Sequence, residues 1–421
     1  MRSSGEKKFM RKAMPFIGFA VNAGFICAAA AAQAEGSSAV GAALGESRPI
    51  VDTRLRYEEV SQDPVANDAE ALTLRARLGF ETGQLWDTRL LLEGELVWPL
   101  DSQYNSTTNG KTQYPAVADP ESYQINRLQL ANTHLPQTTV TLGRQRIVLD
   151  DQRFVANVGW RQNEQTFDSL RIVNKSVRNL TVDVAYLNQV NRVFGERSVQ
   201  GRYTGDSYLA NVAWQFPIGK LSGYGYWLRF DSIAGVPAAV RDSSATYGVR
   251  FAGERPVSNV KLAYVAAYAT QHEYADNPLR FSDDYYQLEL TATYRQYYAG
   301  AGTEVLQGDG VKGFTTPLAT LHKFQGWADK FLTTPGNGID DRYLNLGFTL
   351  QAVGMLDTLA GQASYHDFAA QRISSDYGTE IDLQLQAKWR RFVGTVKYAK
   401  YTADQLFTAT TKFWLQLEYA W

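Results

Sequence analysis

Apolar and polar residues alternate one by one along most of this chain. In the last segment, 411–421, the apolar residues fall on one side of an extended strand and Lys412, Gln416 and Glu418 on the other. The same alternation recurs over 72–81 and 381–390, where charged residues occupy the polar phase. A soluble sandwich could also end on such a strand, but recurrence along nearly the whole chain favours a transmembrane barrel with lipid outside and water inside.

Alternation and turn residues together predict eighteen strands, with sixteen as the open alternative; an even number keeps both chain ends on the periplasmic side. The predicted fold class is therefore all-β, a transmembrane antiparallel β-barrel of the outer-membrane porin type over 48–421. The predicted strands are 48–60, 70–84, 88–100, 122–134, 138–149, 167–176, 180–194, 207–217, 220–232, 244–255, 259–273, 283–295, 296–307, 342–354, 357–371, 377–391, 393–405 and 409–421. Short connections such as 135–137 suit the periplasmic rim, and long ones such as 308–341 suit the outer face.

The first 34 residues have the features of a secretion signal: basic residues, an apolar run from about Met14 to Ala32, and small residues at 32 and 34. An uncleaved anchor is the alternative. The segment 35–47 is expected to be a flexible leader, and no linker divides the remainder into domains. The one cysteine, Cys27, lies inside the signal, so the exported protein is expected to use no disulfide. These features predict the outer membrane of a Gram-negative bacterium.

The charge balance argues against a nucleic-acid partner. The chain has 42 Lys and Arg against 43 Asp and Glu; removing 1–34 takes away five basic residues and one acidic residue, which leaves 37 against 42 and a net charge of −5. The expected partners are outer-membrane lipid and, through the C-terminal strand that ends at Trp421, the barrel assembly machinery.

The polar phases of the strands place many arginines on the inward side. An arginine-rich bore would attract anions, whereas arginines paired with neighbouring acids such as Asp52, Glu93 and Glu418 would only stiffen the wall. Both interpretations stay open on pattern alone. The inward-facing bases are Arg54, Arg56, Arg75, Arg77, Arg127, Arg171, Lys388, Arg390 and Lys397.

Two stretches break the alternation. The segment 143–168 is dense in Arg, Asp, Asn and Gln, and Arg144 and Arg146 share a phase with Leu142, so a bulge near Gly143 must turn them inward or the outward assignment is wrong. The segment 316–332 lies in the longest predicted loop and is partly apolar, with a spacing that suits a short helix. It is expected either to narrow the mouth of the barrel or to form an extracellular cap.

At these two stretches the chain resembles the alginate-export outer-membrane proteins. The Gly-Arg-Gln-Arg…Asp-Asp…Arg-Phe run at 143–154 and the Thr-Pro-Leu-Ala-Thr-Leu-His-Lys-Phe…Gly-Trp-Ala-Asp-Lys-Phe run at 316–331 carry the resemblance. It implies an electropositive constriction that passes a polyuronate, with Arg144, Arg146, Arg153 and Arg161 at or near that constriction. An anionic oligosaccharide or polysaccharide is then the expected solute.

Catalysis, a metal site in the barrel and a cofactor are not expected, and calcium bound in a loop stays open. Beyond the signal the chain has four histidines, His134, His272, His322 and His366, and none is accompanied by a nucleophile motif or by metal-ligand spacing. The sequence therefore predicts a passive outer-membrane channel for anionic sugars or polyuronates such as alginate. The alternative is a general diffusion porin for small hydrophilic solutes.

Overall fold

A closed antiparallel barrel of eighteen strands makes up nearly all of the computed structural model, which describes residues 39–421. The helices are α1 Ala39–Gly45 and α2 Ala238–Arg241, with a 3-10 turn at Leu321–Lys323. The strands are β1 Arg48–Gln62, β2 Ala69–Glu81, β3 Thr88–Gln103, β4 Ser122–Asn132, β5 Thr138–Gln145, β6 Thr166–Asn174, β7 Leu180–Asn191, β8 Arg202–Phe216, β9 Gly219–Leu228, β10 Ser244–Val257, β11 Val260–Glu273, β12 Ser282–Tyr294, β13 Tyr297–Leu306, β14 Ile339–Val353, β15 Leu356–Ala369, β16 Asp376–Trp389, β17 Phe392–Ala403 and β18 Thr410–Ala420.

Each strand pairs with its neighbours in sequence, and β1 closes the barrel on β18, with Arg54 opposite Glu418 and Leu55 opposite Leu417. The predicted fold class and the count of eighteen are confirmed. The predicted secretion signal at 1–34 lies outside the described residues. Within them, no helix is long and apolar enough to cross a membrane.

Most strand limits lie within three residues of the prediction, and β5, β8 and β9 differ by more; β9 ends at Leu228 instead of 232. Strand β5 ends at Gln145 instead of 149, because the chain there leaves the wall and Arg146 turns to Glu164, with Nε 2.7 Å from Oε1. Strand β8 begins at Arg202 instead of 207. Gly205, with φ +141, lies within this strand.

The outer surface of the wall is apolar. Leu383, Leu385, Leu415 and Leu417 are all exposed on the outward phase of their strands, and the polar residues between them point inward. An exposed apolar surface of this extent suits lipid, and a barrel of eighteen strands is wide enough for an aqueous channel. The described part of the predicted leader is helical: α1 rests at the periplasmic end, where the Gly83 amide donates to the Ala43 carbonyl at 2.8 Å.

The upper half of the barrel is filled by two long connections that fold inward. We call 146–165, between β5 and β6, the first inner loop, and 307–338, between β13 and β14, the second inner loop. Their apolar residues pack with inward-facing wall residues into a buried cluster that includes Ile147, Val155, Phe167, Phe314, Leu318, Phe331 and Phe368. The second inner loop therefore occupies the interior and is not an extracellular cap.

Candidate functional site

The first inner loop crosses the lumen and is fixed to opposite walls. At one end, the Asp150 carboxylate accepts hydrogen bonds from Lys220 Nζ at 2.8 Å and Ser222 Oγ at 2.7 Å, both on β9. At the other end, Arg54 Nη1 donates to the carbonyls of Gly159 at 3.1 Å and Trp160 at 3.0 Å. A loop held at both ends across the bore restricts the passage.

The second inner loop is fixed to the wall formed by β16 and β18. The Trp327 amide donates to Asp382 Oδ2 at 3.2 Å, and the Ala328 amide donates to Glu380 Oε1 at 2.6 Å. Lys412 Nζ lies 2.9 Å from Asp329 Oδ2. The carboxylates of β16 thus hold the loop through its backbone.

The two inner loops also contact each other. The Ala156 amide donates to the Leu318 carbonyl at 2.8 Å, and Arg161 Nη2 lies 2.9 Å from Asp329 Oδ2. Arg153 on the first loop reaches Glu304 on β13, with Nε 2.8 Å from Oε1, and its guanidinium lies 4.7 Å from the ring centre of Phe324 on the second loop. The two loops therefore form one unit inside the barrel.

An aromatic cage lies where the loops meet the wall. Lys397 Nζ lies 3.6 Å from the ring centre of Trp327 and 4.1 Å from that of Trp160, within the distance of a cation–π contact. The same ammonium donates to His322 Nε2 at 2.8 Å, and His322 Nδ1 lies 2.7 Å from Asp329 Oδ1. Burial and the Lys397 charge lower the pKa of His322 well below its usual value, although Asp329 opposes the shift. His322 is therefore neutral, with its proton on Nδ1.

The inward arginines of β1 and β2 face the lumen as the sequence predicts, but each is partnered. Arg54 Nη2 lies 2.6 Å from Glu418 Oε1, Arg77 Nε lies 2.6 Å from Glu95 Oε2, and Arg75 pairs with Asp52. Arg56 donates to Gln416 Oε1 at 2.9 Å and to the Trp160 carbonyl at 2.6 Å, and its guanidinium stacks on the Trp160 ring. Arg54, Arg56 and Arg77 hold the first inner loop through Gly159, Trp160 and Glu164.

Of the remaining predicted bases on the strands, three face the lumen and one lies in a turn. Arg127 pairs with Glu93 at 2.6 Å and Arg171 with Asp183 at 2.5 Å, both inside the barrel. Lys388 is inward and exposed near the periplasmic end of β16. Arg390 does not line the bore, because β16 ends at Trp389 and Arg390 lies in the following turn with φ +53.

Arg144 was assigned to the constriction, and the structure corrects this. The register pairs Arg144 with Leu128 and Asp168. Leu142, two residues earlier on the same strand, is outward. No register shift occurs at Gly143, so the alternation continues and Arg144 is outward, with its Nε 2.7 Å from Asp168 Oδ1. Arg146, beyond the end of the strand, is inward and contacts Glu164. Arg153 and Arg161 are buried between the loops and do not line the open path.

The inward charged groups that stay partly open to solvent carry both signs. Besides Lys388, examples are Asp52, with 30% of its side chain exposed, Arg146 with 31%, and the Lys261–Glu254 pair with 51% and 62%. The Arg77 and Arg146 guanidiniums lower the pKa of Glu164 to about 2 against the effect of its burial, so this carboxylate stays charged. Among residues 39–421, the open inward groups therefore include both positive and negative charges.

Sequence reasoning placed Lys397 on the inward side of β17 but missed the tryptophans around it. Trp160, Trp327 and Trp414 lie on separate segments, and only the fold brings them to Lys397. The density of polar residues around Trp160 was the available signal, and it indicated an inward segment without naming its partners.

Comparison with known proteins gives structural neighbours only. No family model and no curated protein matches the chain. The crystal structure of Pseudomonas aeruginosa OccK9 (OpdG) matches with a TM-score of 0.70 and 13% identity over 89% of this chain and 98% of that one. Acinetobacter baumannii OccAB4 matches with a TM-score of 0.67 and 14% identity, and P. aeruginosa OpdK with vanillate with 0.65 and 13%; each match covers 89% of this chain and 98% of the other.

These neighbours confirm an outer-membrane porin fold. They are Occ-type porins, and alginate exporters are not among them, so the resemblance to alginate-export proteins was wrong. A closed barrel with an apolar outer surface is a structure of the Gram-negative outer membrane, and the predicted location is confirmed.

Proposed function

We propose that this protein is a passive outer-membrane channel for small hydrophilic solutes. The observation that carries the proposal is the pairing of inward charges. Arg54, Arg75 and Arg77 are each matched by a carboxylate, and the open groups of the bore have both signs. Such a wall offers hydrogen-bonding groups to many solutes and attracts neither sign of charge strongly.

The two inner loops support a limit on solute size. They are fixed to opposite walls and to each other, so the passage is narrower than the eighteen-stranded wall alone would leave. Small sugars, amino acids and similar solutes are the class that such a passage admits.

Proteoliposome swelling tests this function. The protein is expected to admit small neutral sugars, with rates that fall steeply as the sugar becomes larger. A variant in which 315–332 is replaced by a short Gly-Ser linker should admit larger sugars, because the second inner loop no longer fills the lumen. Heat-modifiability on electrophoresis confirms that both barrels are folded. Folded protein that gives no swelling with any sugar would refute the proposal.

A further inference from the structure

An apolar groove of about 930 Å³ lies on the outer face of the barrel, in its periplasmic half. Most of its lining residues belong to the outward phases of β11 to β17. The register aligns Ala292 with Ala299, Ala299 with Leu346, and Leu346 with Ala363, so the floor contains three alanines. Larger side chains stand around it: Tyr294, Tyr297, Leu383, Leu385 and Tyr398.

The groove runs obliquely through one leaflet. At β12 and β13 it begins at the periplasmic strand ends, Tyr294 and Tyr297. At β16 and β17 the same row reaches Leu385 and Val396, four residues inside the strand ends Trp389 and Phe392. Five strand spacings separate β12 from β17, which gives a length of about 24 Å at roughly 4.8 Å each. One leaflet contains about 15 Å of hydrocarbon depth, so an oblique path of this length suits an extended acyl chain.

Two cations lie at the periplasmic start of the groove. Arg255 shares the outward register row of Leu262 and Ala292, and Arg295 lies in the turn between β12 and β13. Both are exposed, and neither has a carboxylate within salt-bridge distance in the part of the chain that the structure describes. Exposed arginines beside an apolar surface place their charge at the level of the lipid headgroups, where phosphate is the complementary anion.

We propose that this groove binds one phospholipid of the periplasmic leaflet, with an acyl chain on the alanine floor and its phosphate at Arg255 and Arg295. A second copy of this chain fits the surface less well. A two-fold dimer with its axis through the middle of the groove would place Arg295 of one copy against the β16–β17 turn of the other. That turn contains the exposed Arg390 and Arg391, so the contact would be repulsive.

Native mass spectrometry of the delipidated protein in detergent, titrated with dioleoyl phosphatidylglycerol, tests the site. Ala299→Phe fills the floor and should weaken binding of the first lipid about tenfold, because the ring removes apolar area that the chain would bury. The matched control is Ala210→Phe on the lipid face of β8, which should bind as the wild type does. Arg255→Gln together with Arg295→Gln should also weaken binding, whereas Arg178→Gln, in the turn between β6 and β7, should not.

Each outcome is decisive for the proposal. Loss of lipid binding in the groove variants but not in their controls supports it. Equal binding by Ala299→Phe and Ala210→Phe overturns it, and so does a dimer in the wild type that Ala299→Phe abolishes, because a second copy would then occupy the groove. The inference is independent of the proposed channel function: Ala299→Phe should leave sugar permeation unchanged, and either result can be obtained without the other.

Discussion

The ring of Trp160 lies flat against the ring of His322, with centroids 4.2 Å apart and planes within 2° of parallel. Trp160 belongs to the first inner loop and His322 to the second, so this stack joins the two segments that narrow the barrel. Arg56 from β1 covers the same indole, and Lys397 from β17 donates to the same imidazole. Two loops and two walls therefore meet at one pair of rings.

Replacing Trp160 by alanine should loosen this junction. A fully buried Trp→Ala change typically costs about 3–5 kcal/mol. Trp160 is partly buried, so we expect a smaller loss, and it falls on the docking of the loops because the strands of the barrel close on each other without them. We expect larger and noisier single-channel conductance and a higher size limit for sugars. Trp389→Ala, at the periplasmic end of β16 on the lipid side, is the control and should conduct as the wild type does. An unchanged size limit in Trp160→Ala would show that the stack does not restrict the passage.

Acid should release the second inner loop through His322. Docked His322 has a pKa well below its usual value, while a released histidine titrates near about 6.5. The released state therefore binds the extra proton, and docking loses stability as the pH falls below about 6.5. Current fluctuations should increase between pH 7.5 and pH 5.5. The neighbouring charges are those of Asp329, Lys397 and Arg161.

His322→Gln isolates this effect, since glutamine does not titrate. The variant is expected to fluctuate more at neutral pH than the wild type and to change little with acid. The interpretation fails if wild type and variant respond equally to acid, because the titrating group would then lie elsewhere.

The pairing of inward charges predicts opposite effects of removing a base and removing an acid. Arg146→Gln leaves Glu164 with less compensation and should shift the reversal potential toward cation preference. Glu164→Gln should shift it toward anion preference. The double variant should return close to the wild type, because the pair is removed together. Shifts of the same sign in both single variants would contradict a balanced wall.

The assignment of faces can be tested on two adjacent residues of β16. Leu383 is outward near mid-strand and Gln384 is inward. Leu383→Arg should destabilise the folded barrel in lipid vesicles by roughly 2–4 kcal/mol, and Gln384→Arg should cost little, since it faces the lumen. Urea unfolding followed by tryptophan fluorescence measures both. Equal costs would mean that the two faces are assigned wrongly.

The lipid and lumen faces of the barrel wall were predictable from the sequence, because the alternation that separates them is a local property of each strand. Successive residues of a strand point to opposite faces, so the alternation around Leu383 or Leu415 already separates lipid from lumen. The same rule placed Arg144 on the phase of Leu142, which is where the structure has it. The position at the constriction that the family resemblance implied for Arg144 was wrong.

The pairing inside the bore was not predictable, because it depends on register. Arg77 meets Glu95, and Arg127 meets Glu93, as direct neighbours across strands, and a slip of one residue would separate each pair. The contacts of the inner loops were even less predictable from the sequence. Trp160, His322 and Lys397 come from three distant segments, and no local pattern brings them together.

Single-channel conductance in a planar bilayer, with ion selectivity from the reversal potential in a salt gradient, tests the central claim most directly. We expect a conducting channel with weak charge selectivity, because the inward charges are paired and mixed in sign. A strongly anion-selective current would contradict the paired wall, and folded barrels that carry no current would contradict the channel itself.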